Sequence, residues 1–251
     1  MASSSSSQQP SVASSSDWPQ QPQHRVPAAV ARRVREHQVE AQVGVVLARG
    51  EAAVGERRGV RLVDGSVLQL STDTAVDLNM ANHRLHLIEG EIALSVYRAQ
   101  PIDVDFGLGR VATGQAQICL YRDSYSCRIS VLDGNVDVQP EQGMPLTLHY
   151  GDQLTLYTDG SGAMGRFDPH APDWRDGVLS ANNQPLGEFL REVGRYHPGI
   201  LRWDPALESL KVTGTFALND TDRILALLAA SLPVTVLSRS RYWVTLVPQT
   251  A

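Results

Sequence analysis

Between Val43 and Gly165 apolar and polar residues alternate with a period of two, and this constrains the fold more than any other feature of the chain. Val60 and Leu62, Leu68 and Leu70, Val76, Leu78 and Met80, Leu85 and Leu87, and Ile92, Leu94 and Val96 set the pattern. It continues through Ile102, Val104 and Phe106, Ile118 and Leu120, Ile129 and Val131, Val136 and Val138, Leu146 and Leu148, and Leu154 and Leu156. Side chains two residues apart share one face of a strand, so each group reads as a half-buried strand. The breaks are turn chemistry, Asp64-Gly65, Glu89-Gly90, Asp133-Gly134, Gly151-Asp152 and Asp159-Gly160, where Gly supplies positive φ. Such short spacings leave no room for crossover helices, so an antiparallel β-sandwich or β-roll is expected over 43–167.

After Trp174 the period changes. Leu186, Phe189, Leu190, Val193 and Tyr196 share one helical face, Pro185 suits the helix start, and Pro198-Gly199 stops it, which predicts a helix over Pro185–His197. A second helix over Thr221–Leu232 is capped by Asn219 or Asp220, buries Ile224, Leu225, Leu228 and Leu232, and stops at Pro233. Strands at Val178–Ala181, Ile200–Trp203, Lys211–Leu218, Val234–Ser238 and Tyr242–Val247 complete a weak internal repeat. Residues 168–251 thus read as a small two-helix βαβ-βαβ domain of α+β type, giving a mixed fold of β followed by α/β. Residues 1–42 begin with a Ser/Gln/Pro tract and read as a disordered linker or appended segment, with a short helix from Pro27 to Ala41.

Chemistry is sparse. The net charge of −5 argues against a phosphate backbone as partner. No stretch approaches the roughly 20 apolar residues that a membrane span requires, and the Met1 end lacks the apolar core of a signal peptide. Gly107-Leu108-Gly109-Arg110-Val111-Ala112 imitates a dinucleotide fingerprint, yet Val111–Leu120 reads as strand where a helix is needed, so a glycine turn is expected. The seven histidines are scattered and no nucleophile elbow is present, so neither an enzyme, a metal site nor a cofactor is expected.

Gly55-Glu56-Arg57-Arg58, Val60 through Val67, and Leu70 through Thr74 resemble the opening segment of FecR-family transmembrane regulators. Arg84–Leu87 with Glu89-Gly90-Glu91, and Val131-Leu132-Asp133-Gly134-Asn135-Val136, resemble the family's later segments, and Trp174, Gly177, Leu179, Pro185-Leu186 and Arg195-Tyr196 the signature of its C-terminal module. Thr113-Gly114-Gln115-Ala116 departs from the family's G-T-x-F segment, and its cytoplasmic anti-sigma helices and membrane span have no counterpart here. The resemblance implies a periplasmic sensor region that binds the N-terminal signalling domain of a TonB-dependent ferric siderophore receptor, itself an STN-type module. An ECF sigma factor would be reached only through the absent cytoplasmic part. Two other readings are a periplasmic siderophore- or glycan-binding β domain and a structural module of a secretin-like assembly.

Within this reading the last strand is expected near a sheet edge, which makes Tyr242, Trp243, Thr245 and Val247 candidate partner contacts, with the helix face of Leu225 and Leu228 next. Cys119 and Cys127 flank the turn Arg122-Asp123-Ser124-Tyr125. A hairpin centred on Asp123 would set them opposite each other within reach of a disulfide, which an oxidising periplasm would preserve; the alternative is two buried free thiols.

Overall fold

A computed structural model describes residues 41–42, 47–97, 100–240 and 242–249. The linker and short helix expected before position 41 lie outside the described residues. Fourteen strands form one curled sheet: β1 (Ala41–Gln42), β2 (Leu47–Ala52), β3 (Arg58–Arg61), β4 (Val67–Leu70), β5 (Thr74–Asn79), β6 (Arg84–Val96), β7 (Ile102–Asp105), β8 (Gly109–Thr113), β9 (Ala116–Arg122), β10 (Ser126–Asp133), β11 (Asn135–Pro140), β12 (Leu146–His149), β13 (Asp152–Tyr157) and β14 (Gly162–Arg166). The sheet folds into two layers that share β6. In the first layer the order is β3-β4-β6-β9-β10-β13-β14; in the second it is β2-β5-β6-β7-β8-β11-β12.

Glu89-Gly90 is therefore not a turn between strands, as the sequence suggested, but a bend inside one long strand. Gly90 takes φ +95°, and a Cβ there would stand 2.6 Å from the Asp73 carbonyl oxygen. Thr74 staples the bend: its Oγ1 accepts the Glu91 N–H at 2.9 Å and donates to the Glu91 carbonyl at 3.2 Å. Upstream of the bend β6 pairs with β5, downstream with β4 and β9.

The bend also explains a departure from purely antiparallel pairing. β6 and β7 run parallel, Arg84 against Asp103 and His86 against Asp105. A straight strand from Arg84 to Val96 would extend roughly 40 Å at about 3.3 Å per residue, whereas the chain from Val96 to Asp103 spans at most about 25 Å. β6 must curl back on itself, and a curled strand permits parallel pairing without a crossover helix. The glycine-rich stretch after β7 is the turn expected: Gly107 has φ +76° and Phe106 N–H donates to the Gly109 carbonyl.

The alternating residues of both layers meet in one core, from Leu68 and Leu70 through Leu85, Leu87, Ile92, Leu94, Ile118, Leu120 and Ile129 to Val138 and Leu148. The cysteines correct a prediction. In the β9–β10 hairpin Arg122 faces Cys127 and Ser130 faces Cys119, so the turn is centred between Ser124 and Tyr125 rather than on Asp123. Cys119 stands three positions before Arg122, an odd offset, which puts the two thiols on opposite faces of the sheet. Cys127 lies in the core between the layers, Cys119 on the outer face, and both are free and buried.

The second half opens with a 3-10 turn, Trp174–Asp176, capped by the Asp173 carboxylate. It continues through β15 (Val178–Pro185), α1 (Leu186–Tyr196), β16 (Ile200–Trp203), β17 (Lys211–Ala217), α2 (Thr221–Ser231), β18 (Val234–Ser240) and β19 (Trp243–Pro248). Asp220 caps α2, its Oδ1 accepting the Arg223 N–H at 2.9 Å. β15 and β17 form an antiparallel pair; β16, β19 and β18 form a three-stranded sheet in that order. The whole is a β-rich fold with a small α+β part. Its second core joins Phe189, Leu190, Val193, Ile224, Leu225, Leu228, Val244 and Leu246 to Ala93, Cys119 and Leu132 on the outer face of the first layer.

Candidate functional site

Two features of the second half bear on function: an open sheet face, and a polar seam that fixes this half to the curled sheet. In β16-β19-β18, cross-strand pairs share a face. Val244 and Leu246 point into the second core with Leu201, Trp203 and Val236. The alternate set, Trp243, Thr245 and Val247 of β19 with Ile200, Arg202, Thr235 and Leu237 of the flanking strands, forms the other face. α1 and α2 cover the first face only, and the second is open: Ile200 is 44% and Leu237 49% exposed. The Arg202 guanidinium lies 5.1 Å from the Trp243 ring centroid, and Tyr242, 54% exposed, adjoins the same end.

This placement changes the expectation for the last strand. β19 is not an edge but the centre of its sheet, paired in parallel with β16 and antiparallel with β18. The chain returns beside a strand laid down some forty residues earlier, and that long-range pairing has no local signature. Trp243, Thr245 and Val247 do share a face, which the structure enlarges with Ile200, Arg202 and Leu237. Leu225 and Leu228 are core residues, 2% and 1% exposed, and offer no surface.

The seam lies where α1 meets the outer face of the first layer. Arg195 Nη1 donates to Glu91 Oε2 at 2.8 Å, and its guanidinium sits 4.4 Å from the Tyr121 ring centroid. Burial pulls the Arg195 pKa down, but Glu91, Tyr196 and Tyr121 outweigh it and leave the group above its ordinary value. The Tyr196 hydroxyl and Ser71 Oγ share a hydrogen bond of 2.8 Å, and burial pushes the Tyr196 pKa up to about 12. Thr72 Oγ1 donates to the Arg195 carbonyl and accepts from the Gly55 N–H, while Arg57 Nη1 donates to the Trp174 carbonyl at 2.8 Å. The motif residues Arg57, Ser71, Thr72, Glu91, Trp174, Arg195 and Tyr196 thus converge on one contact between the halves. One further feature adjoins it, a cleft of about 260 Å³ between Val54-Gly55 and the start of α2, with Asp220 and Asp222 at its rim. Among the described residues no group of three or more His, Cys, Asp or Glu side chains is placed to hold a metal, and no helix is long and apolar enough to cross a membrane.

Residues 48–137 match the FecR protein family. The fold is similar to two crystal structures of proposed anti-sigma factors from Parabacteroides distasonis ATCC 8503. One aligns with TM-score 0.68 at 19% identity over 81% of this chain and 100% of that chain, the other with TM-score 0.67 at 20% identity over 79% and 98%. The chain matches no curated protein.

Proposed function

We propose, since residues 48–137 match the FecR protein family, that the chain is the sensor region of an anti-sigma regulator, working by protein–protein contact rather than catalysis. In this reading the chain occupies the periplasm and its second half binds the N-terminal signalling domain of a TonB-dependent ferric siderophore receptor. The curled sheet then passes the receptor's state toward an ECF sigma factor through segments other than these residues. The observation that carries the reading is the second half itself, with one sheet face sealed by two helices and the other open, apolar and held in fixed orientation on the FecR domain. A two-helix module packed on its own core has no structural need for a second apolar face, and exposed apolar faces on soluble domains mark sites of association.

The cleft beside Tyr196 does not favour the small-molecule reading. It is smaller than the roughly 300–1,000 Å³ usual for ligand sites, and its Asp220 and Asp222 carboxylates would repel an anionic siderophore. Titration of the whole chain with the signalling domain of a TonB-dependent receptor encoded near its gene tests the proposal. Saturable one-to-one binding is expected; a siderophore-induced rise in melting temperature with no binding of any signalling domain would favour the alternative.

A further inference from the structure

The open face of β16-β19-β18 has a charge as well as a shape. Arg202 stands on it, paired with Thr245, Arg239 sits in the bulge at its β18 edge, and the three strands, ILRW, VTVLSRS and WVTLVP, hold not one acid in a chain whose net charge is −5. Among the described residues neither arginine enters an ion pair. The acids that follow β16 are engaged elsewhere. Asp204 accepts the Ala206 N–H as the cap of a 3-10 turn, and Glu208 accepts from Arg191 and from the Trp203 indole. Arg202 lies over the Trp243 ring, which orients its guanidinium at little entropic cost and leaves its charge uncompensated.

We propose that this face recognises a protein surface with apolar residues at its centre and carboxylates at its rim, docked on Ile200, Leu237, Trp243 and Val247 and steered by Arg202 and Arg239. A second copy of the chain does not fit, because face-to-face packing would bring unpaired arginines together without an acid between them. Strand addition at the outer edge of β18 fits poorly too. The register of β18 on β19 slips between Ser238 and Ser240, and a bulge with an arginine in it is how sheets blunt an edge. Three strands about 4.8 Å apart and four to seven residues long offer on the order of 250 Å², well under the roughly 800 Å² that each partner buries in a stable complex. The contact is therefore a reversible one whose affinity depends on electrostatic attraction and falls with salt.

The inference rests on the receptor reading above, and its test separates the two. The whole chain is titrated by calorimetry with the receptor's signalling domain at low and at moderate salt, as wild type, as the double variant Arg202→Glu/Arg239→Glu, as Leu237→Ser, and as Lys211→Glu on β17. The double reversal should weaken binding at least tenfold and flatten the salt dependence, Leu237→Ser should weaken it several-fold, and Lys211→Glu should leave it within twofold. All four sites are exposed, so melting curves should coincide and confirm folding. Wild-type binding that the double reversal and Leu237→Ser leave unchanged overturns this surface while leaving the receptor reading intact. Failure of the wild type to bind overturns the receptor reading, and this inference with it.

Discussion

Removing the charge of Arg195 should loosen the joint between the halves by an amount the geometry lets one work out. Arg195 holds Glu91 at 2.8 Å with side-chain exposures of 23% and 9%, so the pair is largely sheltered from water. Breaking a buried pair from one side leaves the other charge uncompensated and costs about 3–5 kcal/mol. Arg195 retains some solvent access, which places Arg195→Met near the lower end, about 3 kcal/mol. For a chain of this size each kcal/mol moves the melting point by about 2–4 °C, so a fall of roughly 6–12 °C is expected. Glu91→Gln should cost less, because an amide can still accept from the guanidinium. The informative protein is the double variant. With both charges gone nothing is stranded, so Glu91→Gln/Arg195→Met should be more stable than the sum of the singles predicts by about 2 kcal/mol. Thermal and urea melts of the four proteins measure this cycle. A loss below about 0.5 kcal/mol for Arg195→Met, or strict additivity in the double variant, would refute the seam as a buried charge pair.

Four further outcomes follow from other parts of the fold. Gly90→Ala should destabilise the chain by about 2–4 kcal/mol, since φ +95° and a backbone oxygen 2.6 Å from the new Cβ leave no accommodation except straightening β6; a urea melt checks it. Stability should hold below about pH 9 and fall as pH climbs toward 12. Burial keeps Cys119, Cys127 and Tyr196 protonated in the fold, with Cys127 and Tyr196 both pushed up to about 12, whereas the unfolded chain releases those protons from about pH 9 for the thiols and 10 for the phenol. The native thiols should accordingly resist iodoacetamide at pH 8, and fast labelling would contradict their burial. A fragment of residues 168–251 should melt cooperatively but below the whole chain, because it loses the cover of Ala93, Cys119 and Leu132 and the partners of Arg195 and Tyr196; a fragment as stable as the parent would show that the seam contributes nothing.

What could be read in the residues beforehand follows the range of the forces involved. The strands from Val60 to Leu156 and both helices were visible because burial of one face writes a local period. The turns at Gly65, Gly134, Gly151 and Gly160 were visible because positive φ selects glycine. Gly90 carried the same local signal and meant something else: the same positive φ that closes a turn also bends a strand, and only the pairing of β6 on both sides tells them apart. Cys119 and Cys127 were misplaced by an error of one and a half residues in the hairpin centre, enough to exchange faces. The central position of β19 depends on β16, and the face that gathers Ile200, Arg202, Leu237 and Trp243 depends on both pairings, so no window of sequence contains it. The seam was half visible. Arg57, Glu91, Arg195 and Tyr196 all fall in motif segments, yet nothing in their spacing says that they touch.

Amide hydrogen exchange on the whole chain, with and without a saturating receptor signalling domain, tests the central claim most directly. The account predicts new protection in β16, β18 and β19, centred on Leu237 and Thr245, with the far layer of the curled sheet from β11 to β12 unchanged. Protection confined to that far layer, or to the cleft beside Asp220 and Asp222, would contradict it.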